Sequence, residues 1–348
     1  MAYRFTDPGV LAAAGFDAIL DVRSPSEFAE DHVPGAISMP VLSDAERAEV
    51  GTIYVQDSPF TARKIGAALV ARNAAAHIEE RLMQFGGGWR PLVYCWRGGQ
   101  RSGSFASILQ QIGWRAEVLE GGYRTWRRHV VGRLYDASLP VRVIRLDGYT
   151  GTAKTEVLNR VAALGGQVID LEGLANHRGS ILGDVMGDQP AQKGFETALI
   201  AALSGLDPAR PLLVEAESAR IGTLRLPPAL WVAMRDAPRI VLVAEPQARA
   251  CYLAGIYADL MADAEGLARR LNGLRALAGN ATVDGWLALL AAGEAEALAA
   301  SLIAAHYDPA YARLRRADES AVIAHVDGGD LGPAALDLAA ERVLAAIA

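Results

Sequence analysis

Leu92-Val93-Tyr94-Cys95-Trp96-Arg97-Gly98-Gly99-Gln100-Arg101-Ser102-Gly103-Ser104 reads as a short apolar strand, a turn from Cys95 to Arg101, and a helix. The turn sets one thiol among two arginines and two glycines at a helix onset. A glycine-rich turn lets successive amides point inward, and a helix N-terminus adds partial positive charge. With Arg97 and Arg101 these favour thiolate over thiol, and the thiolate is the nucleophile. Gly98 and Gly99 give the turn a cradle that suits an oxyanion or an atom carried on Cys95. The plain alternative is a buried strand-end cysteine acting as a small hydrophobe. The coincidence of strand, Cys, Gly-Gly, Arg and helix onset speaks against it.

Outward from this stretch, strands are expected at 16–22, 91–94 and 116–119, and helices at 44–50, 61–83 and 104–111. Strands alternating with helices predict a parallel α/β sheet, which places its site at the carboxyl ends of its strands. The 348-residue length predicts two domains, divided as 1–136 and 137–348. A hydrophobic fraction of 51% with 21% charged residues is ordinary globular composition. No apolar run reaches transmembrane length, and residues 1–10 lack signal-peptide character, so no membrane and a cytoplasmic location are expected. Cys95 and Cys251 are the two cysteines, too few for a disulfide framework.

A second chemical centre follows. Residues 141–146 read as a strand, Asp147-Gly148-Tyr149-Thr150-Gly151-Thr152-Ala153-Lys154-Thr155 as a loop, and 156–164 as a helix. Strand, glycine-rich loop, Lys-Thr and helix make the P-loop arrangement. Its amides (Gly148, Thr150, Gly151, Thr152) cradle a diphosphate, Lys154 neutralises it, and the hydroxyl of Thr155 can hold a metal. Ala153 stands where the motif wants its last glycine, and a methyl there restricts φ. ATP hydrolysis is therefore not expected, while diphosphate binding is. Polar groups follow two further strands: Asp170, Glu172, His177 and Arg178 in 168–180, and Glu215 and Glu217 after 211–215. They are read as substrate-binding candidates converging on the phosphate loop. Beyond residue 246 the chain reads as alanine- and leucine-rich helices, with Tyr311, Arg313, Arg315 and Arg316 on one surface helix.

Net charge is −6, which by itself argues against a nucleic-acid partner. The distribution is uneven. Residues 1–140 carry 15 basic and 15 acidic side chains, and the remainder 19 and 25. Arg124, Arg127 and Arg128, with Trp126 and Tyr135, form a local basic and aromatic stretch suited to a phosphate backbone and a stacked base. A solvated helix face is the equal alternative.

Asp21-x-Arg23, Glu27-Phe28, His32-Val33-Pro34-Gly35-Ala36, the Cys95 loop and Glu120-Gly121-Gly122-Tyr123 together resemble a rhodanese domain. The Cys-x5-Arg loop is one residue longer than in many rhodaneses and resembles that of dual-specificity phosphatases and arsenate reductases. A stand-alone sulfurtransferase or a phosphatase with a regulatory P-loop domain is thus the alternative reading. The rhodanese-like and P-loop NTPase-like pairing, with Leu174-Ala175-Asn176-His177-Arg178-Gly179-Ser180, resembles the tRNA 2-selenouridine synthase family over roughly residues 16 to 220. That resemblance implies replacement of sulfur by selenium in a wobble 2-thiouridine of tRNA, through S-geranylation. It implies selenophosphate and geranyl diphosphate as co-substrates, with selenophosphate synthetase as a source of the former. It implies no tightly bound cofactor and allows Mg²⁺ with the diphosphate.

Overall fold

The computed structural model describes residues 2–6, 11, 14–179, 187–256, 258–316 and 320–347. Ser180 and the side chains of Arg315 and Arg316 lie outside the described residues. Contacts divide the chain into two units, Met1–Ala137 with Pro190–Gly205, and Ser138–Gln189 with Leu206–Ala348. The first unit therefore takes in a helix, Gln192–Ser204, from beyond the expected division at 136/137.

The first unit is built on a parallel sheet of β1 (Ala2–Tyr3), β2 (Ala18–Asp21), β3 (Ala36–Ser38), β4 (Pro91–Tyr94) and β5 (Glu117–Leu119), in the order β1-β5-β4-β2-β3. All four residues of β4 are buried, as a central parallel strand requires. Helix Gln100–Ile112 follows it and buries Ser102, Phe105, Ala106 and Leu109 on the inward face. Phe105 and Leu109 share a core with Leu20, Val93 and Trp114. Each such fully buried large side chain stabilises by roughly 1.5–3 kcal/mol. The long helix expected at 61–83 is Pro59–His77 followed by a π-helical turn, Ile78–Leu82. The helix ahead of it, Asp44–Gln56, starts at a reciprocal cap between Ser43 and Glu46.

The second unit has a parallel sheet of β6 (Val143–Gly148), β7 (Gln167–Ile169), β8 (Leu212–Glu215), β11 (Arg239–Val243) and β12 (Val322–Asp327), in the order β12-β11-β6-β8-β7. A short antiparallel pair, β9 (Arg220–Ile221) and β10 (Leu224–Arg225), lies outside this sheet. β6 is central, with later strands on both sides, so the sheet has its switch point at the carboxyl end of β6. Helix Lys154–Ala163 starts there. The reading of the chain beyond 246 as helical is corrected at its end, because β12 returns to the sheet beside β11 before the closing helix Pro333–Ile347. Between them the helices of 246–316 bury a core of their own around Leu253, Leu267, Trp286 and Leu302. Among the described residues no helix is long and apolar enough to cross a membrane.

Candidate functional site

In the first unit, Cys95 follows β4 directly and is 4% exposed. The helix starts at Gln100, so Arg101 stands on its first turn rather than in the loop. Ser102 on the same turn donates from Oγ to Cys95 Sγ at 3.2 Å. Burial pushes the thiol up, but the Ser102 hydroxyl and amide, Arg101 and the Arg97 amide outweigh it and leave the thiol more acidic than usual. Arg97 itself is exposed. Arg101 is held by Glu27 at 2.8 Å, and Glu27 also takes Arg47 at 2.9 Å. These ion pairs bring Glu27 below the usual carboxylate range against its own burial.

Two motifs of the chain are explained by how they hold this loop. Tyr123 and Arg124 donate their amides to the Cys95 and Trp96 carbonyls at 2.9 and 3.1 Å. Gly98 and Gly122 have φ of 65° and 59°, and the two backbones touch. A Cβ on Gly98 would sit 2.5 Å from the Leu119 carbonyl oxygen, and one on Gly122 would collide with the Cys95 carbonyl and the Gly98 amide nitrogen. Glycine is required at both. Beneath them Arg23, 1% exposed, pairs with Asp21 at 2.6 Å and lies 4.0 Å from the centre of the Tyr123 ring. Asp21-x-Arg23 thus fixes the turn that fixes the thiol loop.

The basic stretch divides in two. Arg124 and Arg128 are exposed on helix Tyr123–Leu134. Arg127 instead pairs with the fully buried Glu196 of helix Gln192–Ser204, and Tyr135 donates to the same carboxylate at 2.6 Å. Trp126 is buried and donates to Thr197 at 3.1 Å. Of the expected nucleic-acid contacts, Arg127, Trp126 and Tyr135 therefore tie down a helix, while Arg124 and Arg128 face solvent.

In the second unit, the loop after β6 opens on a cavity of about 580 Å³. One wall carries Thr150, Gly151, Lys154 and Thr155, with Glu172, Arg178, Gly179 and Glu217 beside them. The other is largely apolar, formed by Tyr252, Leu253, Ile256, Tyr307, Ala310 and Tyr311. Lys154 Nζ donates to the Gly148 carbonyl at 3.0 Å and lies 5.9 Å from the centre of the Tyr311 ring. Burial opposes its charge, but Tyr311, Glu172, Glu217 and Asp147 hold its pKa above the ordinary value. Ala153 adopts the left-handed conformation at φ 61°, ψ 35°. The missing glycine thus leaves its backbone geometry in place, at about 1–2 kcal/mol of strain.

Glu172 and Glu217 converge on Gly179, where a Cβ would stand 2.5 and 2.7 Å from their Oε1 atoms. Thr155 donates to Glu172 at 3.2 Å. Burial, followed by the charge of Glu217, pushes the Glu172 carboxyl up to about 8. The remaining sequence candidates serve the scaffold. Thr152 donates its hydroxyl to the Tyr149 carbonyl at 2.8 Å. Asp170 caps helix Leu171–Ala175 through the Gly173 amide at 2.6 Å. His177 Nδ1 accepts the Gly179 amide at 3.1 Å. Glu215, wholly buried, accepts the Leu171 amide at 3.0 Å, and burial raises its pKa well above the ordinary value. Gly148 packs too closely against Thr152 and the Leu242 carbonyl for a side chain. Sequence reasoning missed Arg249, which donates to the Thr150 carbonyl at 2.9 Å and pairs with Asp308, and read Tyr311 as part of a surface helix rather than as a ring beside Lys154. Among the described residues no group of three or more His, Cys, Asp or Glu is placed to hold a metal ion.

Comparison with known proteins bears on both units. Residues 10–129 match the rhodanese-like domain family, and residues 141–279 match the tRNA 2-selenouridine synthase AAA domain family. A tRNA 2-selenouridine synthase of Alcanivorax borkumensis is 38% identical over 232 residues, 64% of this chain and 62% of that protein. One from Hahella chejuensis is 37% identical over 64% of this chain and 59% of its own length. One from Shewanella halifaxensis is 33% identical over 290 residues, 78% of each. The first two matches span about three fifths of the length of those relatives. With both domain families matched in order and most of the chain aligned, the chain belongs to the tRNA 2-selenouridine synthase family.

Proposed function

We propose that the protein replaces sulfur by selenium in the wobble 2-thiouridine of tRNA, in two chemical stages served by its two centres. In the first, the thiocarbonyl sulfur attacks the allylic carbon of geranyl diphosphate; the S–C bond forms, the C–O bond breaks, and diphosphate leaves with the electron pair. Negative charge grows on the departing diphosphate. Lys154, the Thr150 and Gly151 amides and Thr155 are fixed donors that act directly on that barrier. Mg²⁺ arriving with the diphosphate would meet Thr155 and the carboxylates of Glu172 and Glu217. Alkylation turns a poor sulfide leaving group into a thiol. In the second stage the selenium of selenophosphate, supplied by its synthetase and held at the Cys95 loop, attacks C2 of the base; the Se–C bond forms, the C–S bond breaks, the prenyl thiolate leaves, and water takes the phosphoryl group as phosphate. The glycine amides and Arg101 suit the phosphoryl oxygens, and the acidified Cys95 thiol can give the departing thiolate its proton. Such a reaction belongs in the cytoplasm, with the tRNA pool.

The observation that carries this reading is the two-faced cavity in the second unit. A phosphate loop opposite Tyr252, Leu253, Ile256 and Tyr311 suits a diphosphate with an apolar tail. The test is mass spectrometry of nucleosides from 2-thiouridine tRNA incubated with geranyl diphosphate and selenophosphate. Lys154→Ala should lower geranylation by about 10²–10³-fold. Cys95→Ala should accumulate geranylated nucleoside without selenation. An unmodified tRNA from the wild type would sink the reading and leave the sulfurtransferase or phosphatase alternative.

A further inference from the structure

A second cavity, of about 980 Å³, lies wholly in the first unit and is not used by anything described above. Helices Asp44–Gln56 and Pro59–His77 form its sides, and Gln100, Arg101 and Ser104, on the helix that follows the Cys95 loop, close one end. Its lining includes Leu42, Val50, Tyr54, Val55, Ala67 and Val70, and Val55 is 83% exposed. Among the described residues the cations in the lining are Arg47, Arg63 and Arg101, and no acidic residue lines it. Glu27, outside the lining, pairs with two of the three, so the rim keeps a positive excess. An apolar trough with a cationic rim recognises an apolar chain attached to an anionic group. Arg101 both borders the trough and acidifies Cys95, so whatever lies in the trough is presented at the thiol loop.

We propose that this trough seats the prenyl tail of the S-alkylated nucleotide during selenation, with Arg47 and Arg63 at the flanking phosphodiesters. The inference rests on the alkylation reading given above. It supplies that reading with a second apolar site, needed because the tail must be held where sulfur is displaced as well as where it is attached. The tail then departs as the prenyl thiol from the same trough.

The two half-reactions separate the ideas. Two exposed trough residues are altered in the full chain, Ala67→Trp to fill it and Val55→Glu to charge it; neither is buried, so the fold should tolerate both. With a pre-made S-geranyl-2-thiouridine oligonucleotide and selenophosphate, each variant should show a KM for the oligonucleotide raised about tenfold. Geranyl transfer to a 2-thiouridine oligonucleotide should be unchanged in the same variants. An unaltered selenation KM, or a loss shared by both half-reactions, overturns the inference while the two-stage reading stands. A wild-type dimer dissolved by Val55→Glu in light scattering, with KM unaltered, assigns the trough to a second copy and overturns it as well. A wild type that performs neither half-reaction overturns the parent reading, and this inference falls with it.

Discussion

The Cys95 and Lys154 loops are both strand–loop–helix turns at the carboxyl end of a parallel strand, yet they meet the left-handed backbone differently. Around Cys95 the positive-φ positions are Gly98, Gly121 and Gly122, and the loop is clamped by a second backbone segment packed against it. Around Lys154 they are Gly151 and Ala153, and the loop faces a cavity. The first loop has its reactive atom built into the chain, so it must be rigid around a buried sulfur. The second presents backbone amides, a hydroxyl and a lysine to a cavity, and that lysine donates to the Gly148 carbonyl. Close approach of a second backbone makes glycine indispensable in one loop, whereas in the other the Ala153 methyl packs into the apolar core and alanine stands, strained.

The largest expected effect breaks that contrast at its tighter end. Gly122→Ala places a methyl against the Cys95 carbonyl and the Gly98 amide, both backbone atoms with no side-chain freedom to yield. A cost on the order of 3 kcal/mol is expected from the clash and the positive φ together. Urea unfolding should show it in the transition of the first unit, and alkylation of Cys95 should lose its low-pH component. A stability change under about 0.5 kcal/mol would mean that the two segments do not press on each other as described.

A smaller effect concerns how the loops tune their acids in opposite directions. Cys95 is lowered although burial opposes its charge, whereas Glu172 is raised because burial and Glu217 act together. The difference is the supply of donors: Ser102, the loop amides and Arg101 face the sulfur. Ser102→Ala removes the hydroxyl that donates to it at 3.2 Å. A hydrogen bond to a charged group contributes about 1.5 kcal/mol, so the midpoint of Cys95 alkylation by iodoacetamide should rise by about one pH unit. Following the Cys95 peptide by mass spectrometry keeps the exposed Cys251 out of the reading. An unmoved midpoint would assign the acidification to the amides and Arg101 alone.

The same contrast explains what the sequence disclosed. Pro91–Tyr94 and the strand ahead of Gly148 are legible because central parallel strands are continuous apolar runs, and both loops are legible because glycine spacing is local. β12 is not, since an edge strand with five of six residues at least partly exposed, His325 among them, carries no such run. Arg127 looked like a nucleic-acid contact because its partner, Glu196, lies 69 residues away and is itself a buried acid, which no local pattern announces. The apolar wall of the cavity beside Lys154 was hidden in the same way. Tyr252 sits on an alanine-rich helix and Tyr311 on an arginine-rich one that reads as a surface helix, and only tertiary packing brings both to one cavity and Tyr311 to Lys154.

The smallest effect tests the looser loop. Ala153→Gly relieves left-handed strain of about 1–2 kcal/mol. Against this it loosens the unfolded chain by about 0.4–1 kcal/mol and gives up a methyl that is 95% buried beside Val157 and Leu242. The terms nearly cancel, so unfolding free energy should move by less than about 1 kcal/mol. Ligand binding is the sharper readout. If alanine already holds the loop in its diphosphate-binding form, the glycine variant should bind geranyl diphosphate no more than a few-fold differently by calorimetry. A gain of a hundredfold would show that the Ala153 methyl itself obstructs the anion, and that this loop, unlike the one around Cys95, is not yet in its working shape.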